Sequence, residues 1–272
     1  MTQSLLRKIA DLLEQGHRCA LVTITHTVGS TPRQAGAKMA VTDSGEVIGT
    51  VGGGCVEADL CALAQTALDK REHITKTIDL SVRSSDEIDM LCGGKVTVMV
   101  EPLEATPHLV IFGGGHISLA LTRLCVPLGF QVTVTDDRGA FASRERFPGV
   151  EVLACPFEEQ VERLTLTPST FAVIVTRGHE ADEVVLRQLL DKPLRFLGLI
   201  GSRSKWSRIR EHLLADGFTE EQLERVVCPI GLEIWAETPE EIAVAITAQL
   251  IQIKNAESPK ARRHRARRGE TS

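Results

Sequence analysis

The spacing of hydrophobic residues gives the first part of the chain a mixed helix and strand pattern. Leucine and isoleucine recur at helical intervals from Leu5 to Leu13 and Gly16 follows, which predicts an amphipathic helix. The β-branched run 19–25 predicts a buried strand, and the runs 38–41 and 47–48 predict the two arms of a hairpin.

A helix is predicted after the three glycines 52–54, and a last strand over 95–101. Residues 1–101 are therefore expected to form an α+β domain. Residues 102–107 contain two prolines and few apolar side chains, which is typical of a short interdomain linker.

From residue 108 the pattern changes to strand-like runs that alternate with helical stretches. This alternation predicts βαβ units and a parallel sheet covered by helices on both faces. A closing helix is predicted from Thr238 and Pro239 to about Ile253. The strand-like runs are 109–112, 131–135, 171–175 and 196–200, and the helical stretches are 117–128, 183–190 and 205–215.

Composition is that of a soluble globular protein, with 43% hydrophobic and 25% charged residues. No apolar run approaches 18 residues and acids interrupt the first stretch, so neither a membrane partner nor a signal peptide is predicted, and a cytoplasmic location is expected. The seven cysteines are scattered without a C-x-x-C pair, which predicts free thiols rather than disulfides or a zinc knuckle.

Charge is distributed unevenly. Six cations against two carboxylates make the tail 255–272 +4, so the net charge of −5 leaves −9 on the rest of the chain. An acidic body argues against nucleic-acid binding. The basic tail is expected to be a disordered, solvated end, with docking to an acidic partner as the alternative.

The clearest chemical signal is the glycine loop Gly113, Gly114 and Gly115 between the strand 109–112 and an apolar helix. Glycines at such a turn let phosphate approach the backbone, and the helix start presents N–H groups to the anion. The next strand ends in Asp136, followed two residues later by Arg138, so an acid stands where a ribose-contacting carboxylate would lie. Together these features predict a Rossmann-type domain over 108–254 rather than a generic tight turn.

In an open parallel sheet, ligands bind beyond the carboxyl ends of the strands. Two further loops are expected there, and each combines glycine with cations at a helix start, which suits an oxyanion. The alternative for the second loop is an ordinary serine cap with solvated cations. One loop carries Arg177 and His179, and the other carries Ser202, Arg203 and Lys205.

His116 and His179 each adjoin one of these glycines. An imidazole there would contact a ligand or take part in acid–base chemistry, or simply cap its helix. In the first domain, the triple glycine 52–54 suits an anion-binding nest or, equally, a flexible hairpin exit.

Eight segments, in order, resemble the xanthine dehydrogenase accessory protein family (XdhC/CoxI) along nearly the whole chain. They are GSTPRQAGAKMAV, GTVGGGCVE, LCGGKVTVMVEP, IFGGGHIS, VTDDR, VTRGHEAD, GLIGSRSK and PIGLEIWAETPEEIAVAI.

The resemblance implies a maturation factor without turnover of its own. It would bind molybdenum cofactor (molybdopterin) as cargo, promote its sulfuration with a cysteine desulfurase, and deliver it to xanthine dehydrogenase or a related molybdenum hydroxylase. A homodimer is left open. The cargo is a pterin with a phosphate and an oxyanionic metal centre, so it has the charge pattern that the glycine loops suit.

The resemblance also implies a set of contacts. The loop 113–115 would hold the phosphate or pterin, with further contacts from the two other loops of the second domain. The first domain would line the facing wall of an interdomain cleft. The implied residues are Arg177, His179, Arg203 and Lys205 from the second domain, and Arg33, Gly52, Gly53, Gly54 and Glu57 from the first.

Two cysteines are candidates for a sulfur relay. Cys92 lies in a family segment and would also suit a molybdenum contact, although a small buried residue in a turn is the alternative. Cys55 follows the triple glycine at a helix start, where the helix dipole would lower the pKa of its thiol.

The chain departs from the family pattern at three positions. Gly114 and Ser118 stand where alanine is frequent, and both changes are expected to be mild. Trp235 stands where glycine is expected, and its indole is expected to cover part of the cleft.

Two other functions fit the same residues. An NAD(P)-dependent oxidoreductase would use Gly113, Gly115 and Asp136 as cofactor contacts, although no convincing pair of residues for hydride chemistry follows from the sequence. A protein-binding scaffold would leave the glycine loop without a ligand.

Overall fold

The computed structural model describes residues 2–52, 55–80, 93–256 and 258–268. These residues fall into two compact units. Thr106–Asn255 forms the second unit, and the described residues of Met1–Ala105 and Ala256–Ser272 form the first. Gly53, Gly54 and Cys92, three residues predicted to contact the cargo or to relay sulfur, lie outside the described residues.

The elements of the first unit are α1 (Thr2–Glu14), β1 (Cys19–Val28), β2 (Lys38–Thr42), β3 (Val47–Gly49), α2 (Cys55–Lys70), β4 (Ile74–Asp79) and β5 (Lys95–Leu103). Those of the second unit are β6 (His108–Phe112), α3 (His116–Cys125), β7 (Gln131–Asp136), β8 (Glu151–Ala154), α4 (Phe157–Gln160), β9 (Thr170–Ile174), α5 (His179–Leu189), β10 (Phe196–Leu199), α6 (Arg203–Ala215), α7 (Glu220–Glu224), β11 (Val226–Val227) and α8 (Pro239–Lys254). A last helix, α9 (Pro259–Arg268), belongs to the first unit.

The first unit is an antiparallel sheet in the order β3-β2-β1-β5-β4 with a helix on each face. On one face, Leu5 and Ile9 of α1 pack against Cys19 and Ala40. On the other, α2 packs against the alternate side chains of β1, β2 and β5. The strand residues therefore alternate between two apolar layers, and both predicted hairpin arms are present.

The second unit is a parallel sheet in the order β11-β10-β9-β6-β7-β8. This is the strand order of a Rossmann fold. All strands are parallel, and the side of the sheet on which the chain adds new strands changes between β6 and β9. One apolar layer lies between the sheet and helices α3 and α8, and the other lies between the sheet and α4, α5 and α6. The predicted α/β fold, with a Rossmann-type domain after an α+β domain, is confirmed.

Several short elements were not predicted from the sequence. β4, β8, α4, α7 and β11 have between two and six residues, too few for a hydrophobic period to be evident. α9 forms in the basic tail, for which the composition predicts disorder. Its Arg262 guanidinium donates a hydrogen bond to the carbonyl of Asp69, at the end of α2. In the described part of the chain, no helix combines the length and the apolar content needed to cross a membrane.

Candidate functional site

The first glycine of the loop after β6 is required by packing at the point where the strand order reverses. Gly113 has a φ of +108°, in the region that favours glycine. A Cβ atom there would lie 2.5 Å from the carbonyl oxygen of Val175 and 2.9 Å from Cα of Thr176. The backbones that leave β6 and β9 can approach this closely because residue 113 has no side chain.

The second glycine is enclosed by its own chain. The amide of Gly114 donates to Oδ2 of Asp136 at 2.8 Å, and its carbonyl accepts from Nε of Arg146 at 3.0 Å. A Cβ at this position would collide with the carbonyl of Phe141. The glycine at 114 is therefore not a mild departure from alanine in this chain, because Phe141 takes the space of the methyl group.

Asp136 holds this arrangement together. Its buried carboxylate accepts hydrogen bonds from the amides of Gly114 and Arg138 and from two nitrogens of the Arg138 guanidinium. Burial opposes ionisation, but these donors outweigh it and lower the pKa of Asp136 to about 2. The Arg138 guanidinium also stacks 3.6 Å from the ring centroid of Phe141. The carboxylate that was predicted to contact a ligand therefore already accepts hydrogen bonds from Gly114 and Arg138.

The third glycine differs from the first two. Gly115 is the N-cap of α3 with a φ of −73°, which any residue adopts, and no side chain caps the helix. A Cβ atom would meet nothing within 4 Å. Gly178 has the same features at the start of α5, with a φ of −162°. Two helices on this edge therefore begin without a side-chain cap and with open space where a side chain of the N-cap residue would lie.

The predicted histidines occupy the first helical position after these glycines. His116 begins α3 and His179 begins α5, and both are exposed. Arg177 precedes Gly178, is also exposed, and donates to Oδ2 of Asp137 at 2.8 Å. The open helix starts are thus bordered by the imidazoles of His116 and His179 and by the guanidinium of Arg177. The Arg177 guanidinium forms a surface ion pair with Asp137.

The third loop joins a serine cap to a buried lysine. Ser202 accepts from the amide of Lys205 at 3.2 Å and caps α6, while Arg203 is exposed. The Lys205 ammonium is buried, pairs with the carboxylate of Asp182, and donates to the carbonyl of Ile200 at 2.9 Å. The serine cap is present, but Lys205 is not solvated: its ammonium is buried and joins α6 to α5.

Asp182 is a partner that no pattern in the sequence had singled out. It is fully buried and accepts from the amide and hydroxyl of Thr176, at 3.2 and 2.6 Å, as well as from Lys205. Burial raises the pKa of Asp182, and the bonds from Lys205 and Thr176 oppose that rise. The same carboxylate therefore positions the loop after β9 and the start of α6.

In the first unit, Glu57 secures the segment that leads to the triple glycine. Its Oε1 accepts from the hydroxyl of Thr50 at 2.5 Å and from the amide of Val51 at 3.2 Å. A Cβ atom at Gly52 would lie 2.7 Å from Cγ of Pro32. Arg33, exposed, lines a cavity of about 230 Å³ in this unit.

Neither candidate for a sulfur relay has a described side chain. Of the two candidates, Cys92 is outside the described residues and only the backbone of Cys55 is described, at the start of α2. A different cysteine lies at the carboxyl edge of the parallel sheet: Sγ of Cys228, which follows β11, is 3.9 Å from the carbonyl oxygen of Gly201. Burial raises the pKa of the Cys228 thiol to about 11, so it is protonated at neutral pH.

No cluster of three or more histidine, cysteine, aspartate or glutamate side chains within the described ranges is arranged to hold a metal ion.

Trp235, which stands where the family pattern predicts glycine, has a φ of +56°, in the left-handed region that favours glycine. The residue is 86% exposed. Its indole therefore extends into solvent within the described residues.

Two family models match the chain. The XdhC Rossmann domain matches residues 109–250, and the XdhC and CoxI family matches residues 12–79. The crystal structure of a xanthine dehydrogenase from Bacillus halodurans has the same fold, with a TM-score of 0.51 and 24% identity over 94% of this chain and 98% of that one.

Three curated relatives align with nearly the whole chain. The uncharacterized protein YqeB of Escherichia coli K12 is 33% identical over 93% of the chain, which spans 46% of YqeB. A probable xanthine dehydrogenase subunit of Bacillus subtilis 168 is 26% identical over 89% of the chain and 95% of the relative. The molybdenum cofactor insertion chaperone PaoD of Escherichia coli K12 is 21% identical over 93% of the chain and 88% of PaoD.

Proposed function

The chain belongs to the XdhC and CoxI family, and from this premise we propose that it binds molybdenum cofactor as cargo during the maturation of a molybdenum hydroxylase. Two relatives support this proposal: one is described as a molybdenum cofactor insertion chaperone, and the other as a probable xanthine dehydrogenase subunit. Both align with this chain over most of their own length, 88% for the chaperone and 95% for the probable subunit.

The observation that carries the proposal is the pair of uncapped helix starts at Gly115 and Gly178. Helix N-termini prefer serine, threonine, aspartate or asparagine, whose side chains satisfy the first N–H groups. Here both positions are glycine, although neither the backbone angles nor the neighbouring atoms require it. An anion that bonds to these N–H groups from outside explains the missing side chains, because the helix dipole and the open space both favour it.

The surrounding residues divide into two groups. His116, Arg177 and His179 are exposed beside the open helix starts, and Arg203 is exposed at the start of α6. In this proposal all four contact the phosphate or the oxyanionic metal centre of the cargo. A second group positions the loops and does not touch the cargo. It comprises Gly113, Gly114, Asp136, Arg138, Ser202 and Lys205.

We extend the proposal to the partners. The client is xanthine dehydrogenase or a related molybdenum hydroxylase, and a cysteine desulfurase supplies sulfur while the cofactor is held. In the first unit, Arg33, Gly52 and Glu57 are retained as contacts. Cys228 is not assigned a sulfur-relay role, because its protonated, half-buried thiol is a poor nucleophile.

An NAD(P)-dependent oxidoreductase fits the site less well. A nucleotide ribose needs a free carboxylate at the end of the second strand, whereas Asp136 already receives four hydrogen bonds from Gly114 and Arg138.

Anaerobic equilibrium binding distinguishes the two functions. Purified protein is titrated with isolated molybdenum cofactor and, separately, with NAD and NADP. The proposal predicts saturable binding of the cofactor with a stoichiometry near one, no saturable binding of either dinucleotide, and higher activity of a molybdenum hydroxylase when loaded protein is added. Saturable NAD binding without cofactor binding would favour the oxidoreductase, and binding of neither would favour a scaffold.

A further inference from the structure

The loop of residues 231–237, which we call the Trp235 loop, presents three apolar side chains to solvent. Trp235 is 86% exposed, Ile234 43% and Leu232 36%. Large apolar side chains that stand alone on a surface are common, but three within four residues, one of them tryptophan, are typical of an interaction site.

Trp235 is exposed in a strained backbone conformation. Its φ of +56° is unfavourable for a bulky side chain, and an indole that is 86% exposed gains little from packing within the described residues to compensate. Glycine would adopt this angle without strain. The indole therefore lowers the stability of the free protein, which is understandable if it contributes to a complex.

The Trp235 loop is nevertheless held firmly. The amide of Gly231 donates to Oε1 of Gln249 at 2.7 Å, and the amide of Leu232 donates to the carbonyl of Ala245 at 3.1 Å. Both acceptors belong to α8. These bonds fix the backbone at the start of the loop, so less backbone entropy is lost there when a partner covers the loop.

Charge identifies the kind of partner. Glu233, Glu237 and Glu240 flank the apolar side chains and are exposed, and no lysine or arginine occurs between Arg225 and Lys254. The body of a second copy is −9 outside the tail, so its approach to this acidic rim would be repulsive. An anionic lipid surface would be repelled in the same way. Docking of a second copy through its basic tail would instead give a dimer that depends on Trp235, which the test below detects.

We propose that the Trp235 loop is a docking site for a protein surface with an apolar pocket that is rimmed by arginine or lysine. Resting on the proposed function, the partner is the client hydroxylase, and Trp235 is the anchor that enters the pocket. Tryptophan is the residue type most often found at the energetic centre of interfaces, with polar groups around it.

The test uses the full chain and a bacterial xanthine dehydrogenase purified without its molybdenum cofactor. Affinity is measured by biolayer interferometry at low and high salt for the natural chain, for Trp235→Gly, and for the control Leu128→Ala, which shortens another apolar side chain that is 40% exposed. We expect Trp235→Gly to weaken binding at least about tenfold, to leave cofactor binding unchanged, and to raise the Tm because the strain is removed. Leu128→Ala should change the affinity less than about twofold.

A charge variant provides a second readout. Glu233→Lys combined with Glu237→Lys should weaken binding most at low salt, because rim charges act through a screened field. Equal affinity of Trp235→Gly and the natural chain would overturn the proposal, as would a dimer of the natural chain that Trp235→Gly dissociates.

The outcomes separate this inference from the proposed function. A natural chain that binds cofactor but not the hydroxylase contradicts the docking proposal and leaves the cargo role standing. Hydroxylase binding that depends on Trp235, without cofactor binding, supports the docking site and contradicts the cargo role.

Discussion

The amide of Gly114 donates a 2.8 Å hydrogen bond to Oδ2 of Asp136, and this bond joins the glycine loop to the end of the neighbouring strand. The acid at this position is thereby used to shape the loop. Gly113 and Gly114 are both required by packing, because a side chain at either position would collide with neighbouring backbone. Gly115, in contrast, has open space where a side chain would lie.

Asp136→Asn should lower the free energy of unfolding at neutral pH. The native pKa of about 2, against an ordinary 3.8, corresponds to about 2 kcal/mol. Because the native pKa is depressed, this stabilisation is fully present above pH 4 and is lost as the pH falls toward 2. Urea unfolding at pH 7, 4 and 3 measures it, with Asp137→Asn as the control. If the free energies of unfolding of the natural chain and of Asp136→Asn differ by the same amount at all three pH values, the depressed pKa of Asp136 is contradicted.

Gly113→Ala should destabilise the fold much more than Gly115→Ala. The first places a methyl group 2.5 Å from the Val175 carbonyl at a φ of +108°, and should cost more than about 2 kcal/mol. The second meets nothing within 4 Å and should cost less than about 1 kcal/mol. Guanidinium unfolding of the two variants gives the comparison, and similar midpoints would show that Gly113 is not needed for packing.

Lys205→Ala should destabilise the second unit by about 3–5 kcal/mol, because it leaves the carboxylate of Asp182 buried without its cation. The exposed Arg203, two residues earlier, provides the matched control, and Arg203→Ala should change stability by less than about 0.5 kcal/mol. Thermal unfolding followed by circular dichroism measures both. A Lys205→Ala chain as stable as the control would mean that the pair does not hold α5 and α6 together.

Cys228 should react slowly with iodoacetamide in the native protein. Burial keeps its pKa at about 11, so the nucleophilic thiolate is scarce at pH 7.5 and increases as the pH approaches that value. Peptide mass spectrometry gives the rate of modification at Cys228 in native and urea-unfolded protein. Faster labelling of the native chain would restore Cys228 as a candidate for sulfur transfer.

Local patterns were sufficient to predict the Rossmann domain and its first loop. β6, the glycines and α3 are contiguous, and their apolar spacing and turn residues are visible in a window of about 20 residues. The three loops at the carboxyl edge follow from the same alternation, since parallel strands bring their ends to one side. Gly115, His116 and His179 could be selected on that basis.

Contacts between distant residues could not be predicted in this way. Asp182 and Lys205 are 23 positions apart, and Arg146 lies 32 positions from Gly114. Lys205 resembled a ligand contact because a lysine at a helix start is usually solvated, and only the packing of α5 against α6 shows that it is buried. Asp136 likewise resembles a ribose contact in the sequence, and only the folded loop shows the hydrogen bonds that it accepts from Gly114 and Arg138.

The most direct test of the cargo site is Gly115→Asp, assayed for anaerobic binding of molybdenum cofactor. An aspartate at the N-cap would satisfy the first N–H groups of α3 and favour the helix dipole, so the free energy of unfolding should stay equal or rise by up to about 1 kcal/mol. Its charge would meanwhile repel an anion at the same place. Gly115→Ala is the control for size. The account predicts that Gly115→Asp folds at least as stably as the natural chain and binds the cofactor more than about tenfold more weakly, while Gly115→Ala retains most of the affinity. Unchanged cofactor affinity in a folded Gly115→Asp protein would contradict it.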